Sequence, residues 1–513
     1  MLALAPLLNC LIREVAVPLP SSAGRPAHRL PSGRELRVRG TRRPAAPEVR
    51  PPGDATWRSL DHDGLIAVVA EELRVRTGVD HPGLPAEMRD SRHVLEALLA
   101  AREEAAAPAD PYLISEQSLL TGHPYHPAPK TRGGGAPTGW LPYAPEAYAR
   151  FPLTLLAVRE DQVVEEGDTA ALDTLGEAPP GYRLLPAHPW QLALLGDALA
   201  PALADGRLVR VGGTSEAWWP TAAVRTVYAP ERDLFLKFSL DVRITNDVRR
   251  LWRHDLLRLR RVDAAASHAF AAADVTADGA PAGTGGEAGG GTGGGRSGWL
   301  SDRGYRTARF AFEELAAMVR DGLHAHVAPG ATPLLAAALA EGFDGNPLAT
   351  TPDPAGWWKA YLAAVVPPAL TAFDRHGVVV EAHLQNTLVT VSADGTPVQA
   401  LYRDAEGVKL VAETGRAAGW ERLVYCLVVN HLLEIAAALT EHHPGLDPWP
   451  PLRAELARHT APEAHALLTA PTLPGKTNLL LRWTDADGAD ARYLPLANVL
   501  TGGAAEGSGQ DIG

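Results

Sequence analysis

Cysteine is nearly absent: Cys10 and Cys426 are the only two in 513 residues. Two thiols cannot build a disulfide framework or a cysteine-rich zinc site, so both read as reduced packing residues. Positive charge is also in deficit. Sixty Asp/Glu against 48 Lys/Arg leave a net charge of −12, the opposite of the basic domain that a nucleic-acid binder carries. No apolar run approaches the roughly 18 residues that cross a bilayer. The start carries Leu7-Leu8-Asn9-Cys10, faintly like a lipoprotein site, yet no basic region precedes it and Arg13 and Glu14 follow at once. A helix burying Leu7, Leu8, Leu11 and Ile12 is the better reading. These absences predict a cytoplasmic globular protein that works with neither membrane nor nucleic acid. At 46% hydrophobic and 21% charged residues, general disorder is excluded. The length predicts about two to four domains.

Glycine and proline are plentiful, at 49 and 44 residues, and their placement divides the chain. From Gly279 to Gly298, eleven of twenty residues are glycine. A stretch with so little apolar surface reads as a flexible, exposed insertion. Before residue 120 the texture is largely helical, after a Pro/Arg-rich stretch near 40–53, with three- and four-residue apolar spacing over Leu65–Val75 and Ser91–Ala106. Short apolar runs follow, among them Tyr182–Leu185 and Asp233–Phe238, and predict strands. Helical spacing returns at 308–326, 332–341, 355–373 and 419–440. Gly377 to Val391 reads as a hairpin or two short strands, and Asn478 to Leu500 as strand.

Gly475-Lys476-Thr477, five residues after Ala470, fits a relaxed phosphate-loop pattern. Such a loop follows a strand and opens a helix. A helical stretch before it and a strand-like run after it argue the reverse order here, so the match is set aside. Three other constellations carry more. Gly122-His-Pro-Tyr-His-Pro-Ala-Pro-Lys-Thr-Arg-Gly-Gly presents His123, His126, Lys130 and Arg132, and Pro124 and Pro127 forbid a helix. Four potential cations on a glycine-bounded loop suit a polyanion such as triphosphate; a surface loop with scattered charge is the plainer alternative. His188, in a second His-Pro pair, reads as packing. Between Thr221 and Arg261, ten Lys/Arg face five Asp/Glu, a local excess of +5 in an acidic chain. Arg225 and Lys237 flank a turn near Ala229-Pro230, so paired strands would bring both to one face. Thr245 reads as the cap of a helix, with Arg249 a turn in beside a docked carboxylate. Arg253 to Arg261 read as the solvated face of an amphipathic helix. Last, Glu381, His383 and Gln385 alternate with Ala382 and Leu384, so a strand would align the three polar side chains. Asn386 and Asp404, eighteen residues apart, are similar to the Asn and later Asp by which kinase-like folds hold magnesium.

In their order, GHPYHPAPKTRGG, WPTAAVRT, LKFSLDVRITNDVR, EAHLQNTLV and YRDAEG together resemble the aerobactin-synthetase-like (IucA/IucC) family. These are siderophore synthetases that work independently of nonribosomal peptide synthetases. The resemblance runs from Leu7 to Asn498. It implies an α+β cupped hand, with a mainly helical thumb at 1–120 and β-rich, phosphate-binding fingers at 121–262. A Gly-rich flexible insertion at 263–298 and a mainly helical, partly kinase-like palm at 299–513 complete it. It implies ATP- and Mg²⁺-dependent condensation of citrate or a related acid with a polyamine or other amine, a hydroxylamine or an alcohol, through an acyl adenylate. It leaves a homodimer open.

By the same resemblance, Arg225, Thr226 and Lys237 neutralise ATP phosphates, and the loop with His123, Lys130 and Arg132 closes over them. Thr245, Arg249, His383 and His126 hold the acid. Glu381, Gln385, Asn386 and Asp404 complete the nucleotide site, and Asn386 and Asp404 take the metal. His383, Arg249 and Lys237 are the residues expected at the reacting groups. Two departures stand out. The family commonly has serine where this chain has Ala223, so Thr221 or Thr226 is left to compensate. The glycine tract and a short amino terminus, as from a late start codon, are also unusual. Two rival readings remain, a regulator that binds citrate or nucleotide without turnover and a kinase-like phosphotransferase.

Overall fold

The computed structural model describes residues 2–22, 25–271, 298–486 and 493–501. The chain begins with the expected helix, Leu4–Glu14, which buries Leu7, Leu8, Cys10 and Leu11. A five-stranded antiparallel meander over residues 17–59 follows, in a region expected to be mainly helical, and it takes in the Pro/Arg-rich stretch near 40–53. Its alternation is visible in Glu35–Arg39, where Leu36 and Val38 point inward and the arginines outward. Helix His62–Thr77 starts at Asp61, whose carboxylate accepts from the Gly64 amide at 2.8 Å, and stops at Gly78, in the left-handed conformation at φ 70°. Helix Gly83–Glu104 packs beside it. Leu479 and Trp483, from the far end of the sequence, complete this core.

The middle of the chain supplies two antiparallel sheets. One has Thr154–Arg159 between Tyr182–Ala187 and Leu208–Gly213. The other runs Trp219–Pro220, Thr226–Ala229, Leu234–Phe238, Ala317–Asp321, Asp302–Ala308, Val163–Gly167. Its fourth and fifth strands come from 302–321, which lies beyond the expected domain boundary and overlaps the helix expected at 308–326. The reason is charge. Arg306 and Arg320 are buried, and strand pairing sets Glu165 opposite Arg306 and Asp302 opposite Arg320, while Asp173 reaches Arg306 from the short helix Ala170–Asp173. The boundary set at 262 therefore separates strands that share one sheet. It also cuts helix Leu259–Ala271, so the insertion placed at 263–298 begins with helix. The glycine-rich tract proper, apart from Gly298, lies outside the described residues.

The remainder is mainly helical around a four-stranded sheet. Pro397–Arg403 pairs in parallel with Trp299–Leu300 and antiparallel with Thr387–Val391, which in turn pairs with Thr332–Leu335. Helix Pro354–His376 and a continuous helix over Arg416–His442 pack into the largest core. The second is long and apolar enough to cross a membrane, contrary to the expectation from run length. Its most apolar stretch is 78% buried inside the protein, as a core helix is. Gly377–Val391 holds two short strands, Val378–Val379 and Thr387–Val391, and not a hairpin: Val378–Val379 pairs with Lys409–Leu410 instead. His188 packs among Tyr143, Phe151 and Phe238, as expected.

One buried ion cluster ties the His-Pro loop to the rest. Glu146 accepts from Lys130 Nζ and from Arg132 at 2.7 Å each, all three side chains being nearly inaccessible. Burial alone would raise the Glu146 carboxyl, but the two cations outweigh it and bring it from 4.5 to about 2. Its folded-state pKa lies below the unfolded one. The stabilisation is therefore complete above about pH 4.5 and is lost as the pH falls toward 2. We predict that Glu146→Gln is less stable than the parent and has a flatter acid limb. Unfolding free energy by urea titration should fall by roughly 2 kcal/mol less between about pH 5 and pH 2.5.

Candidate active site

The site forms where the six-stranded sheet meets the end of strand Pro397–Arg403. Thr226 and Lys237 are directly paired across strands Thr226–Ala229 and Leu234–Phe238, and Arg225 precedes the first of them. The predicted turn therefore does bring Arg225 and Lys237 together. Both are buried and both reach Glu406: Lys237 Nζ bonds its carboxylate and that of Asp404, and Arg225 donates to it at 2.8 Å. Arg225 also donates to the carbonyls of Arg249 and Arg250, at 3.3 and 3.0 Å. Burial would raise the Asp404 carboxyl, yet Lys237 and Arg320 pull it far below the ordinary range.

A second layer fixes these groups. Asp302, fully buried, takes Arg320 in a two-point contact at 2.7 and 3.0 Å and accepts from the Ala405 amide at 2.9 Å. Asp263 holds the Asp302 amide, the Ser301 hydroxyl and the Trp299 indole. Burial, more than any other influence, raises Asp263 to about 6. Arg403 bonds Glu116 at 2.6 Å and the Gln385 carbonyl at 2.9 Å. Its own amide donates to the Asn386 carbonyl at 3.1 Å, so Asn386 and Asp404 emerge together from the ends of two paired strands.

Arg249 arrives differently from the expectation. Thr245 does not cap a helix; it turns a two-stranded hairpin, Arg243–Ile244 with Asp247–Val248, at φ 60°. Arg249 supplies the missing order by donating to the Thr245 hydroxyl at 2.7 Å and the Ile244 carbonyl at 2.8 Å. Val224, beside Arg225, sits at φ 64°. A β-branched residue in this region stores on the order of 1–3 kcal/mol, and here two of them flank the cationic cluster. Among the described residues no carboxylate lies within 4 Å of the Arg249 guanidinium. Burial, then repulsion from Arg225, brings it from 12.5 down to about 10. Such a group gains from an incoming anion.

The Glu381–Asn386 segment is not a strand either. Strand Val378–Val379 ends before it, and the Asn386 amide turns back to the His383 carbonyl at 3.0 Å. Glu381 is paired with Arg422, and its carboxylate lies 3.5 Å from His383 Nε2. Burial opposes ionisation, but Arg422 and His383 hold Glu381 at about 2. Gln385 donates its amide to His383 Nδ1 at 3.3 Å.

The His-Pro loop is the main correction. Burial, with His383 and Lys476 nearby, drives His123 to about 3, and burial drives His126 well down, so neither is a cation at neutral pH. His126 uses both ring nitrogens within the protein, Nδ1 accepting from Ala128 and Nε2 meeting Asn246 at 3.1 Å. Asn246 continues to Asn478, which bonds the Tyr125 carbonyl. His126 thus braces the Thr245 hairpin and is not placed to touch an acid itself. Lys130 and Arg132 are engaged by Glu146, and phosphate contacts would require them to leave it.

Residues that sequence reasoning missed are Glu406, present in a quoted motif but given no role, and Asp302, Arg320, Glu116, Arg422 and Lys476. Lys476 stood in the set-aside phosphate-loop match. The order there is strand Thr472–Lys476 and then helix Asn478–Trp483, the reverse of what was expected. The helix amides of Leu479 and Leu480 are already taken by the Glu14 carboxylate at 2.9 and 2.8 Å, so no phosphate is cradled there. Lys476 instead lies near Arg422 and Glu381 and is lowered by burial and by Arg422. Thr221, a candidate to replace the missing serine, donates its hydroxyl to the Thr226 carbonyl at 3.0 Å.

Cations face a pair of carboxylates at this sheet junction, and comparison places the chain in a family. The IucA / IucC family profile matches residues 111–341, and that of the ferric iron reductase FhuF-like transporters matches residues 355–491. The rhizobactin siderophore biosynthesis protein RhbC of Rhizobium meliloti is 30% identical over 80% of each chain. The L-2,3-diaminopropanoate–citrate ligase of Staphylococcus aureus is 28% identical over 76% of this chain and 75% of its own. In fold, ATP-bound aerobactin synthetase IucA from Klebsiella pneumoniae superposes with a TM-score of 0.78 at 22% identity, covering 97% of this chain and 99% of that one. The chain belongs to the IucA/IucC family. It is an enzyme of siderophore biosynthesis, a ligase. Cys426 is the sole cysteine in the FhuF-like span, too few for a cluster held by four thiolates.

The Asp302 contacts give a direct test. Asp302→Ala leaves Arg320 a buried cation without its fork and frees the Ala405 amide. It should lower unfolding free energy by about 3–5 kcal/mol in urea titration.

Proposed function

We propose that this enzyme condenses citrate, or a closely related polycarboxylic acid, with an amine at the expense of ATP. A carboxylate oxygen of the acid attacks the α-phosphorus, the bond to the bridging oxygen breaks, and pyrophosphate leaves. The amine nitrogen then attacks the acyl carbon, the bond to the phosphate oxygen breaks, AMP departs, and the amine's proton passes to solvent. The observation that carries this reading is the arrangement of Arg225, Lys237 and Arg249 around Asp404 and Glu406. Arg225 and Lys237 are neutralised by those carboxylates, and among the described residues Arg249 has no such ion pair.

Asp404, Glu406 and the Asn386 amide are hard oxygen donors of the kind that suit Mg²⁺, which would offset phosphate charge. Were these groups to hold Mg²⁺, it would take up carboxylate charge, and Arg225 and Lys237 would be free to meet phosphate oxygens, with Thr226 and Gln385 beside the nucleotide. Arg249 and Thr245 hold the acid, with His383 between acid and phosphate. Two anions that repel in water are thereby held in line, and positioning of that kind can contribute about 7–11 kcal/mol. The amine choice follows the relatives, whose names specify diaminopropanoate, spermidine and a hydroxylysine derivative. In this reading residues 1–120 are a thumb, the sheets up to 321 the fingers, and the rest a partly kinase-like palm. Its cytoplasmic place follows from the need for ATP.

The experiment is product analysis with ATP, citrate and a panel of amines. AMP and pyrophosphate are expected; ADP would indicate a phosphotransferase, and no turnover a binding protein. Within that assay, Arg249→Ala should raise the apparent KM for the acid roughly ten- to a hundredfold and leave that for ATP nearly unchanged. An equal rise for both would place Arg249 on the phosphates.

A further inference from the structure

The long helix Arg416–His442 is interrupted by a π-helical segment, Val424–Leu432. Nine residues of π-helix is long for a form that usually appears as a single turn, often at functional sites. Near its end lies His431, fully buried. Its ring has two partners, the Tyr361 hydroxyl at 2.5 Å from Nε2 and the Ala382 carbonyl at 2.8 Å from Nδ1. A carbonyl can only accept, so Nδ1 carries the proton and Nε2 accepts from Tyr361. Burial brings the ring to about 4, with the Ala382 bond opposing and His383 adding to the fall, so it stays neutral. Tyr361 is itself fixed by stacking against Trp357 and Trp358.

Ala382 stands between Glu381 and His383, in the segment that left the sheet at Val379. No strand ladder orders this segment, so its direction depends on individual contacts. The same helix supplies two of them: Arg422 grips the Glu381 carboxylate, and His431 grips the Ala382 carbonyl. The two are nine residues apart. At 3.6 residues per turn, an α-helix would turn them about two and a half times, onto opposite faces. Seven of the nine steps lie in the π segment, where bonds reaching five residues back make a wider turn of more than four residues and bring the two side chains toward a shared face. The π segment thus has a geometric purpose.

We infer that His431, locked by Tyr361, is a positioning residue that sets His383 and Glu381 in the site through the Ala382 carbonyl. This rests on the proposed roles of His383 and Glu381, so the test includes a readout independent of activity. Hydrogen exchange followed by mass spectrometry on the full chain reads the 380–387 amides directly. His431→Leu should speed exchange there with the rest of the chain little changed. His431→Asn, whose amide can still donate to Ala382, should restore protection, and Tyr361→Phe should give a smaller effect of the same kind. In the citrate-dependent reaction His431→Leu should raise the acid's KM at least about tenfold, since a displacement near 1 Å at a reacting centre costs on the order of a hundredfold. Nucleotide affinity, read with a fluorescent ATP analogue, should change far less. Unchanged exchange at 380–387 in His431→Leu would overturn the inference, as would His431→Asn behaving like His431→Leu. A general loss of protection, with kcat falling at constant KM, would make His431 only a core residue. Absence of AMP formation by the parent enzyme would overturn the proposed reaction alone, since the exchange result stands without it.

Discussion

Lys237 is buried in a sheet of one region, and among the described residues its charge is answered by Asp404 and Glu406 from another. A buried ammonium without a partner is strongly unfavourable, so the two regions must meet there with the correct register. Everything else at the site follows from that requirement. Arg320 and Asp302 hold the backbone at Ala405, Asp263 holds Asp302, and Arg403 with Glu116 holds the strand that delivers Asp404. The cluster is neutralised internally, Arg225 and Lys237 by Asp404 and Glu406.

The supporting shell is as charged as the site. Arg306 with Glu165 and Asp173, Lys130 and Arg132 with Glu146, and Arg422 with Glu381 are all buried or half-buried pairs. Such pairs add little net stability compared with apolar packing, but breaking one leaves a stranded charge. They specify one arrangement of the chain. Positive φ at Val224, Thr245 and Asp404 adds strain at the same place, and the surrounding bonds hold it.

The parts of this that were legible in the sequence are those set by local pattern. Arg225 and Lys237 share a face because a turn and two apolar runs fix an antiparallel register. The helices at 62–77, 354–376 and 416–442 follow apolar spacing. What was illegible depends on partners far along the chain. The strand at 317–321 looks helical until Arg320 is given its acid. Thr245 looks like a helix cap because Thr followed by Asn and Asp commonly is one, but Arg249 closes a hairpin on it instead. The histidines of the His-Pro loop look cationic, and only burial shows them neutral. Glu406 and Arg422 could not be ranked, since one lies 169 residues from Lys237 and the other 41 from Glu381.

The central claim is that the acid is activated before the amine takes part. Isotope exchange of labelled pyrophosphate into ATP, with citrate and Mg²⁺ but no amine, tests this most directly. The account predicts exchange that depends on the acid and is depressed in His383→Ala. Exchange that appears only once an amine is added, or label-free ATP alongside ADP formation, would contradict it.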